Sequence, residues 1–225
     1  RLSLAVVLLG ITTFFTRGFF FPTDATHYQW FWLGLSGIIG FFLGDLFLFK
    51  SYTVIGSRTA QLIMSLSPML TALIGWFFLD EKLSPKSILG IVICVTGIII
   101  AISNRNLKLN IPFKGFLLAF GGALGQAVGL ILSKKGIGNY DPVAATQIRA
   151  LFGLICFALF ITFLGRWKQV SAAFTNKSAL KSVTVGTFFG PFVGVALSMF
   201  AIQHTKTGIA STLMALVPVF IIWPS

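Results

Sequence analysis

Polar and charged side chains inside long apolar stretches are the residues of this sequence with the potential to do chemistry. Asp45 is the one charged residue in the stretch 29–49. A carboxylate at the centre of a membrane-spanning helix costs about 2.5–3.5 kcal/mol, so some interaction must offset that cost. Two interpretations stay open: Asp45 faces a cavity, where it binds a cationic group or carries a proton, or it forms an ion pair with Lys50 or Arg58 near the membrane face.

Four uncharged polar side chains also lie within apolar stretches. With Asp45 they form the predicted substrate-binding set: Gln61, Ser65, Gln126 and Ser198. Gln126 lies at the centre of its stretch, where its amide could hydrogen-bond either a substrate or a neighbouring helix. The sequence therefore predicts a polar site of a few side chains within an apolar protein.

Two further polar residues lie at the ends of apolar stretches. Arg149 begins the stretch 148–165, and we interpret it as a headgroup anchor rather than a substrate clamp, because long basic side chains reach the membrane interface from such positions. His204 follows the stretch 182–203 with no acid beside it, so we interpret it as an interfacial loop histidine rather than a proton relay. Neither residue belongs to the predicted substrate-binding set.

The inventory of reactive groups argues against an enzyme. A membrane-embedded active site needs paired acids, or a histidine with an acid or a nucleophile, at one membrane face. Here Asp45 is alone in its stretch, and Asp80 and Glu81 adjoin each other in a turn with no histidine nearby. Cys94 and Cys156 lie in apolar stretches, where a thiol behaves as a small hydrophobe. We therefore expect no catalytic residue, no metal site and no cofactor.

The composition indicates a protein of the lipid bilayer. Apolar residues make up 56% of the sequence and charged residues 10%, whereas a soluble domain has about a quarter charged. The net charge of +12 reflects only five acidic residues. Nucleic-acid binding needs basic residues clustered on one soluble face, but these basic residues lie between apolar stretches. The expected partners are the bilayer and a small-molecule substrate, with a proton as a candidate coupling ion, and no nucleic acid.

The apolar stretches are long enough to cross a bilayer as helices. Because lipid offers no hydrogen-bond partner to unpaired backbone groups, each stretch is predicted to be helical. The fold class is therefore all-α, a polytopic membrane helix bundle. The predicted spans are residues 2–21, 29–49, 59–79, 87–102, 115–133, 148–165, 182–203 and the segment from 207 onward.

A 150-residue offset aligns the chain with itself without a gap and superposes the boundaries of the spans. In this register the first span pairs with the sixth, the second with the seventh and the third with the eighth. We therefore predict two repeats, residues 1–109 and 110–225. The identities are Gly40 with Gly190, Phe42 with Phe192, Gly44 with Gly194, Ala60 with Ala210, Met64 with Met214, Leu66 with Leu216 and Pro68 with Pro218.

Glycines and prolines recur at matching positions of the two repeats. The predicted packing glycines are Gly40, Gly44, Gly186, Gly190 and Gly194. Their four-residue spacing puts them on one helix face, where the backbone of a neighbouring helix can come close. Two interpretations stay open: the contact is static packing, or it is a surface along which the helices slide during alternating access.

A proline inside a helix removes one backbone hydrogen bond and permits a bend. Pro68 and Pro218 match at the 150-residue offset. They are interpreted either as paired hinges or as kinks of a static bundle, since kinked helices also occur in static membrane proteins.

Residues 60–102 carry a resemblance to a known family. A small-residue-rich helix with a central proline leads into Leu79-Asp80-Glu81-Lys82-Leu83, and the following helix contains Gly90 and Gly97. This pattern resembles the EamA-like branch of the drug/metabolite transporter superfamily. In that family a Gly-Glu pair usually occupies the turn, so Asp80 departs from the pattern and Glu81 keeps it. The segment 203–210 leading into Pro218 resembles the corresponding entry in the second repeat.

The resemblance implies ten helices in two inverted-topology repeats of five, which enclose a central cavity. In this resemblance the sequence corresponds to helices two to nine of the ten, about eight helices. The first helix of the first repeat and the last helix of the second repeat are expected to be missing. We expect the fragment to be inactive alone. The expected function is secondary transport of an amino-acid-like or other small organic solute across the cytoplasmic membrane by alternating access. The alternative is a non-transporting membrane receptor or structural protein.

Overall fold

The protein is known from a computed structural model that describes residues 1–81, 112–173 and 177–214, with isolated positions between 85 and 97. Every regular element within these residues is helical, which confirms the all-α class. The predicted span 87–102 falls largely outside the described residues, and Pro218 falls wholly outside them. The elements, in chain order, are α1 Leu2–Arg17, α2 His27–Ser36, π1 Gly37–Gly44, α3 Asp45–Met64, α4 Ser67–Phe78, α5 Phe113–Ile137, α6 Pro142–Phe163, α7 Trp167–Ala173, α8 Lys177–Thr187, π2 Phe188–Gly194, α9 Val195–His204 and α10 Thr207–Met214.

Four helical segments of the described residues are long and apolar enough to cross a membrane. They are His27–Met64, Phe113–Ile137, Pro142–Phe163 and Leu180–His204. Two shorter apolar helices, Leu2–Arg17 and Ser67–Phe78, accompany them. The protein is therefore a multi-pass integral membrane helix bundle.

The helices form two compact units. The first unit comprises Arg1–Phe42 and Leu132–His204. The second comprises Leu43–Ile131 and the segment from Thr205 onward. Each unit therefore combines chain segments that are far apart in sequence.

The core of the first unit forms where α1 and α6 pack together. Leu9 and Ala150 are almost fully buried there with Val6 and the ring of Phe41. The same cluster takes in partly buried Val195, the first residue of α9. Apolar contacts in this cluster thus join α1 to α6 and α9, which come much later in the sequence.

The core of the second unit gathers α3 and α5. Ala60, Ile63 and Ala119 are fully buried against Leu48. Phe116 and other partly buried aromatic side chains cover this cluster. The small residues at its centre let the helix backbones come close.

Helix α6 begins earlier than the predicted start at residue 148. Asp141 is its N-cap, with Oδ1 accepting a hydrogen bond from the Ala144 N–H at 2.8 Å, and Pro142 is the first helical residue. Proline is favoured at that position because its missing N–H has no intrahelical partner to lose. The earlier start places Arg149 within the helix and not at its end.

The predicted loop between residues 49 and 59 is wrong. The chain stays helical through α3, apart from Gly56, whose φ of 76° and ψ of 159° break the helix. Glycine adopts this conformation without the strain that a Cβ would cause. A single residue therefore makes the turn for which the sequence analysis allowed nine.

The predicted third span, 59–79, is interrupted in its middle. Helix α3 ends at Met64, and α4 begins at Ser67 with Pro68 in its first turn. A proline ring clashes with the carbonyl four residues earlier, here that of Met64, so the break precedes the proline. The break lies where a hinge was predicted, and the hinge role of Pro68 stays a prediction.

The polar stretch 167–181 contains helices that its irregular pattern did not predict. Helix α7 lies within this stretch, and α8 begins at Lys177, before the predicted start at residue 182. The apolar segment then continues through π2 and α9 to His204. The span therefore exists, with a boundary displaced toward the N-terminus.

Two element boundaries coincide at the 150-residue offset. The segment π1 ends at Gly44 and π2 at Gly194, and an α-helix follows each directly. The helix after Gly56 resumes at residue 57, and α10 begins at Thr207. The two-repeat organisation, with its limits at residues 109 and 110, stays a prediction.

Candidate functional site

Two members of the predicted substrate-binding set contact each other within the second unit. Gln126 Nε2 on α5 donates a hydrogen bond to Asp45 Oδ1, the first residue of α3, at 3.2 Å. Both side chains are half-buried. Neither sequence interpretation of Asp45 included this amide partner.

A close approach of two helices brings this pair together. A Cβ added at Gly122 would lie 3.3 Å from the Gly44 carbonyl oxygen and 3.2 Å from the Leu48 Cβ. Gly122 is one turn before Gln126, and Gly44 directly precedes Asp45. Residues four apart share a helix face, so the tight contact at Gly122 brings the Gln126 amide within reach of the carboxylate.

Gln61 pairs with a residue that sequence reasoning did not single out. Its Nε2 donates a hydrogen bond to the Tyr52 hydroxyl at 2.5 Å. Tyr52 and Gln61 lie on opposite sides of the break at Gly56. The contact therefore braces this break within the second unit.

The two candidate serines bond to their own helices. Ser65 Oγ donates to the Leu62 carbonyl at 2.5 Å, and Ser198 Oγ donates to the Gly194 carbonyl at 2.7 Å. Such bonds give a hydroxyl a partner in an apolar environment. The substrate-binding role of Ser65 and Ser198 stays a prediction.

The predicted packing glycines lie in three helical segments. Gly40 and Gly44 belong to π1, Gly190 and Gly194 belong to π2, and Gly186 lies on α8. A Cβ at Gly194 would lie 2.9 Å from the Phe189 carbonyl, whereas a Cβ at Gly186 would meet no atom within 4 Å. Helix packing at these positions, and any sliding, stay predictions.

Glu81 of the family turn motif binds the start of α10 within the second unit. Its carboxylate accepts hydrogen bonds from the Thr207 N–H at 2.9 and 3.1 Å and from the Thr207 hydroxyl at 2.7 Å. Thr207 is fully buried. A carboxylate at this position satisfies a backbone donor that the helix itself leaves unpaired. Glu81 thus acts as a helix cap supplied from 126 residues away.

Asp80 adopts a left-handed conformation, with φ of 50°. Aspartate tolerates this region better than most residues, and glycine tolerates it best. The family's usual Gly-Glu pair fits the same backbone, so the departure at Asp80 keeps the turn.

Arg149, predicted to anchor at the headgroups, instead lies buried within the first unit. Its side chain is 3% exposed, so its interpretation as a headgroup anchor is wrong. The guanidinium Nε donates to Ser36 Oγ at 2.7 Å, Nη1 contacts Met199 Sδ at 3.4 Å, and Cζ lies 4.8 Å from the centre of the Phe41 ring. The missed signal was the helix cap Asp141-Pro142, which places Arg149 two turns inside α6.

Two buried hydroxyls extend this contact. Ser36 Oγ and Ser133 Oγ lie 2.6 Å apart, and both side chains are fully buried. The neighbouring Lys134 Nζ donates to the Ile202 carbonyl on α9. Arg149, Ser36 and Ser133 thus form a polar cluster within the first unit, here called the arginine cluster.

A second polar group lies at the connections of the first unit. Asp24 accepts hydrogen bonds from Arg17 and, at 3.0 Å, from the Tyr140 hydroxyl. Burial, with the nearby Asp24 carboxylate, raises the pKa of Tyr140 to about 12. Tyr140 therefore stays a neutral hydrogen-bond donor at physiological pH and helps to fix this end of the unit.

One protein-family model and several proteins described as transporters match this chain. The family model described as "EamA-like transporter family" matches residues 1–103 and 113–224. An uncharacterized transporter of Bacillus subtilis, YxxF, is 34% identical over 128 residues, which is 55% of this chain and 41% of that protein. A second one, YyaM, is 25% identical over 226 residues, 97% of this chain and 72% of that protein.

More distant similarities extend to animals and to solved structures. Human solute carrier family 35 member G1 is 24% identical over 164 residues, which is 68% of this chain and 44% of that protein. One crystal structure superimposes with a TM-score of 0.61 at 20% identity, covering 97% of this chain and 77% of that one. The latter similarity concerns the fold alone.

Proposed function

Because this chain belongs to the EamA-like transporter family, we propose that it forms part of a secondary transporter that moves an amino-acid-like or other small organic solute across the cytoplasmic membrane by alternating access. The contact between Gln126 and Asp45 carries the proposal, since it puts a carboxylate and an amide together on membrane-length helices. The alternative is a receptor or structural protein that transports nothing.

The chemistry of this pair suits reversible binding. An ionised carboxylate is a hydrogen-bond acceptor with several lone-pair sites, and its protonated form donates through its O–H. A donor group of a solute, or a proton, can therefore bind Asp45 while Gln126 holds the carboxylate in place. Ionisable residues within membrane helices commonly mark substrate pathways and proton relays.

Breaks within α3 and between α3 and α4 support alternating access. The second unit contains the break at Gly56 and the break between Met64 and Ser67. Discontinuous helices at substrate sites are a recurring feature of transporters with inverted repeats. In the proposed mechanism these breaks take up the changes in backbone angle as the access to Asp45 alternates.

The test is counterflow by the intact protein reconstituted in liposomes. We expect saturable counterflow of at least one member of a panel of radiolabelled amino acids and small organic acids. Loss of a hydrogen bond to a charged group costs about tenfold or more, so Asp45→Asn should lower the apparent affinity or the rate by that factor. No counterflow with any solute would support the non-transporting alternative.

A matched control separates the role of Asp45 from a general effect of charge. Asp141→Asn also removes one carboxylate, but asparagine caps a helix as well as aspartate does. This variant should transport like the unmodified protein. Equal losses in both variants would contradict a specific role for Asp45.

A further inference from the structure

The chain turns where the membrane-length helix α6 ends. Gly165 follows the helix with a φ of 64°, and its N–H donates to the Thr162 carbonyl at 3.1 Å. The Arg166 N–H donates to the Ile161 carbonyl at 3.2 Å. These two bonds form a Schellman motif, in which a left-handed glycine ends the α-helix. Helix α7 therefore starts as a separate element at Trp167.

A side-chain hydrogen bond fixes the depth at which α7 starts. The indole Nε1 of Trp167 donates to Thr162 Oγ1 at 3.1 Å. Thr162 belongs to the last turn of α6, which is long and apolar enough to cross a membrane. Tryptophan is enriched at the level of the lipid headgroups, because its ring is apolar and its N–H is polar. Trp167 thus places the start of α7 at the membrane boundary.

The charged residues that directly follow α6 are basic. Arg166 and Lys168 are both exposed, and neither forms an ion pair within the part of the chain that the structure describes. The sequence contains no acidic residue after Asp141. A further exposed base, Lys181, lies at the start of the next membrane-length segment, Leu180–His204. The connection between these two spans therefore presents positive charge at the membrane boundary.

The acids of the first unit lie at the opposite end of α6. The sequence of this unit contains two, Asp24 and Asp141. Asp141 caps the start of α6, and Asp24 accepts a hydrogen bond from the hydroxyl of the adjoining Tyr140. With 22 residues, α6 is about 33 Å long, several times the Debye length of about 8 Å at physiological salt. These acids are therefore too distant to neutralise Arg166 and Lys168.

We propose that Arg166 and Lys168, held at the membrane boundary by Trp167, bind the headgroup of an anionic phospholipid. Arg166 and Lys168 are here called the basic surface. A guanidinium and an ammonium bind phosphate oxygens through charge-assisted hydrogen bonds, which complement the negative headgroup. Each base next to an anionic membrane surface strengthens binding about fivefold. The proposal concerns a lipid partner and does not rest on the proposed transport function.

The experiment measures lipid binding to the intact protein, delipidated in detergent, by native mass spectrometry. Dioleoylphosphatidylglycerol is the anionic probe, and dioleoylphosphatidylcholine, which has the same acyl chains, is the neutral control. We expect tighter binding of the anionic lipid, weakened by added salt because exposed charges are screened. Combining Arg166→Gln with Lys168→Gln should weaken phosphatidylglycerol binding roughly 25-fold and leave phosphatidylcholine binding unchanged.

A matched double variant separates the basic surface from the net charge of the protein. Lys50→Gln with Arg58→Gln also removes one lysine and one arginine, both from exposed positions of the second unit. This variant should bind phosphatidylglycerol like the unmodified protein. Equal losses in the two double variants would show that the net charge of +12 attracts the lipid, and would overturn the proposal.

The remaining outcomes also decide. Equal binding of the two lipids, or normal phosphatidylglycerol binding by the variant that lacks both bases of the basic surface, overturns the proposal. Glycerol 1-phosphate carries the same phosphate chemistry without acyl chains and serves as a soluble competitor. Displacement of phosphatidylglycerol by an equal concentration of this competitor would assign the basic surface to soluble phosphates and reject the lipid. Retention of the lipid supports the proposal.

Discussion

At the scale of single residues, Glu81 carries the most specific contact of the second unit. Its carboxylate accepts from both the backbone and the hydroxyl of Thr207. The Glu81 N–H in turn donates to the Gly75 carbonyl at 3.3 Å, which fixes the turn after α4. The turn motif has the composition of a charged, solvent-exposed connection. Through Glu81 it nevertheless links the end of α4 to the start of α10 by hydrogen bonds.

We predict that Glu81→Ala destabilises the protein by about 1–3 kcal/mol, because it leaves a buried backbone donor and the Thr207 hydroxyl without the carboxylate. The measurement is the thermal or denaturant unfolding of the purified protein. Asp80→Asn is the matched control, since asparagine also tolerates the left-handed backbone of Asp80. A Glu81→Ala variant as stable as this control would contradict the capping role.

Residue-level prediction from the sequence succeeded in part. The depth of Asp45 and Gln126 in apolar stretches was visible, and the structure brings the two together. Their pairing was not visible, because it depends on the close approach at Gly122, far from Asp45 in sequence. Arg149 was misinterpreted because span boundaries set by hydropathy alone placed it at a helix end.

At the scale of helices, the chain breaks at Gly56 within α3 and again between α3 and α4. Pro68 gave a sequence signal for a break, and the break lies just before it. Gly56 gave no comparable signal among the polar residues around it. The polar residues 50–58 are equally compatible with a nine-residue loop and with a helix that kinks at Gly56, so composition did not distinguish the two.

We predict that Gly56→Ala lowers the free energy of unfolding by about 1–2 kcal/mol, because an alanine is strained at a φ of 76°. No atom lies within 4 Å of an added Cβ there, so the loss would report backbone strain and not a clash. Denaturant unfolding provides the measurement. Gly186→Ala adds the same methyl group in helical backbone with open space around it, and should be neutral or slightly stabilising.

At the scale of the whole molecule, composition was sufficient to predict a multi-pass membrane helix bundle, and motifs were sufficient to predict the family. The contact-defined units were not predictable, since each combines segments from both predicted repeats. Hydropathy reports which segments enter the bilayer, but it carries no information on which of them touch. The inverted orientation of the repeats stays a prediction.

That orientation has a direct test. The connection after α1 and the connection after α6 match at the 150-residue offset, so an odd number of crossings between them puts them on opposite sides of the membrane. Single cysteines replacing the exposed Thr23 and Ser171 should react with a membrane-impermeant maleimide from opposite sides, after removal of Cys94 and Cys156. Labelling of both in detergent is the control, and labelling of both from the same side would contradict the inversion.

The segment π1 joins α2 to α3 within one continuous helical segment, His27–Met64. A π-helical turn holds more residues than an α-helical turn, so the length of Gly37–Gly44 determines which direction Asp45 points. Removal of one residue would rotate α3 by about 100° about its axis relative to α2 and turn the carboxylate away from Gln126. The number of residues between Ser36 and Asp45 therefore determines whether the carboxylate can reach the Gln126 amide.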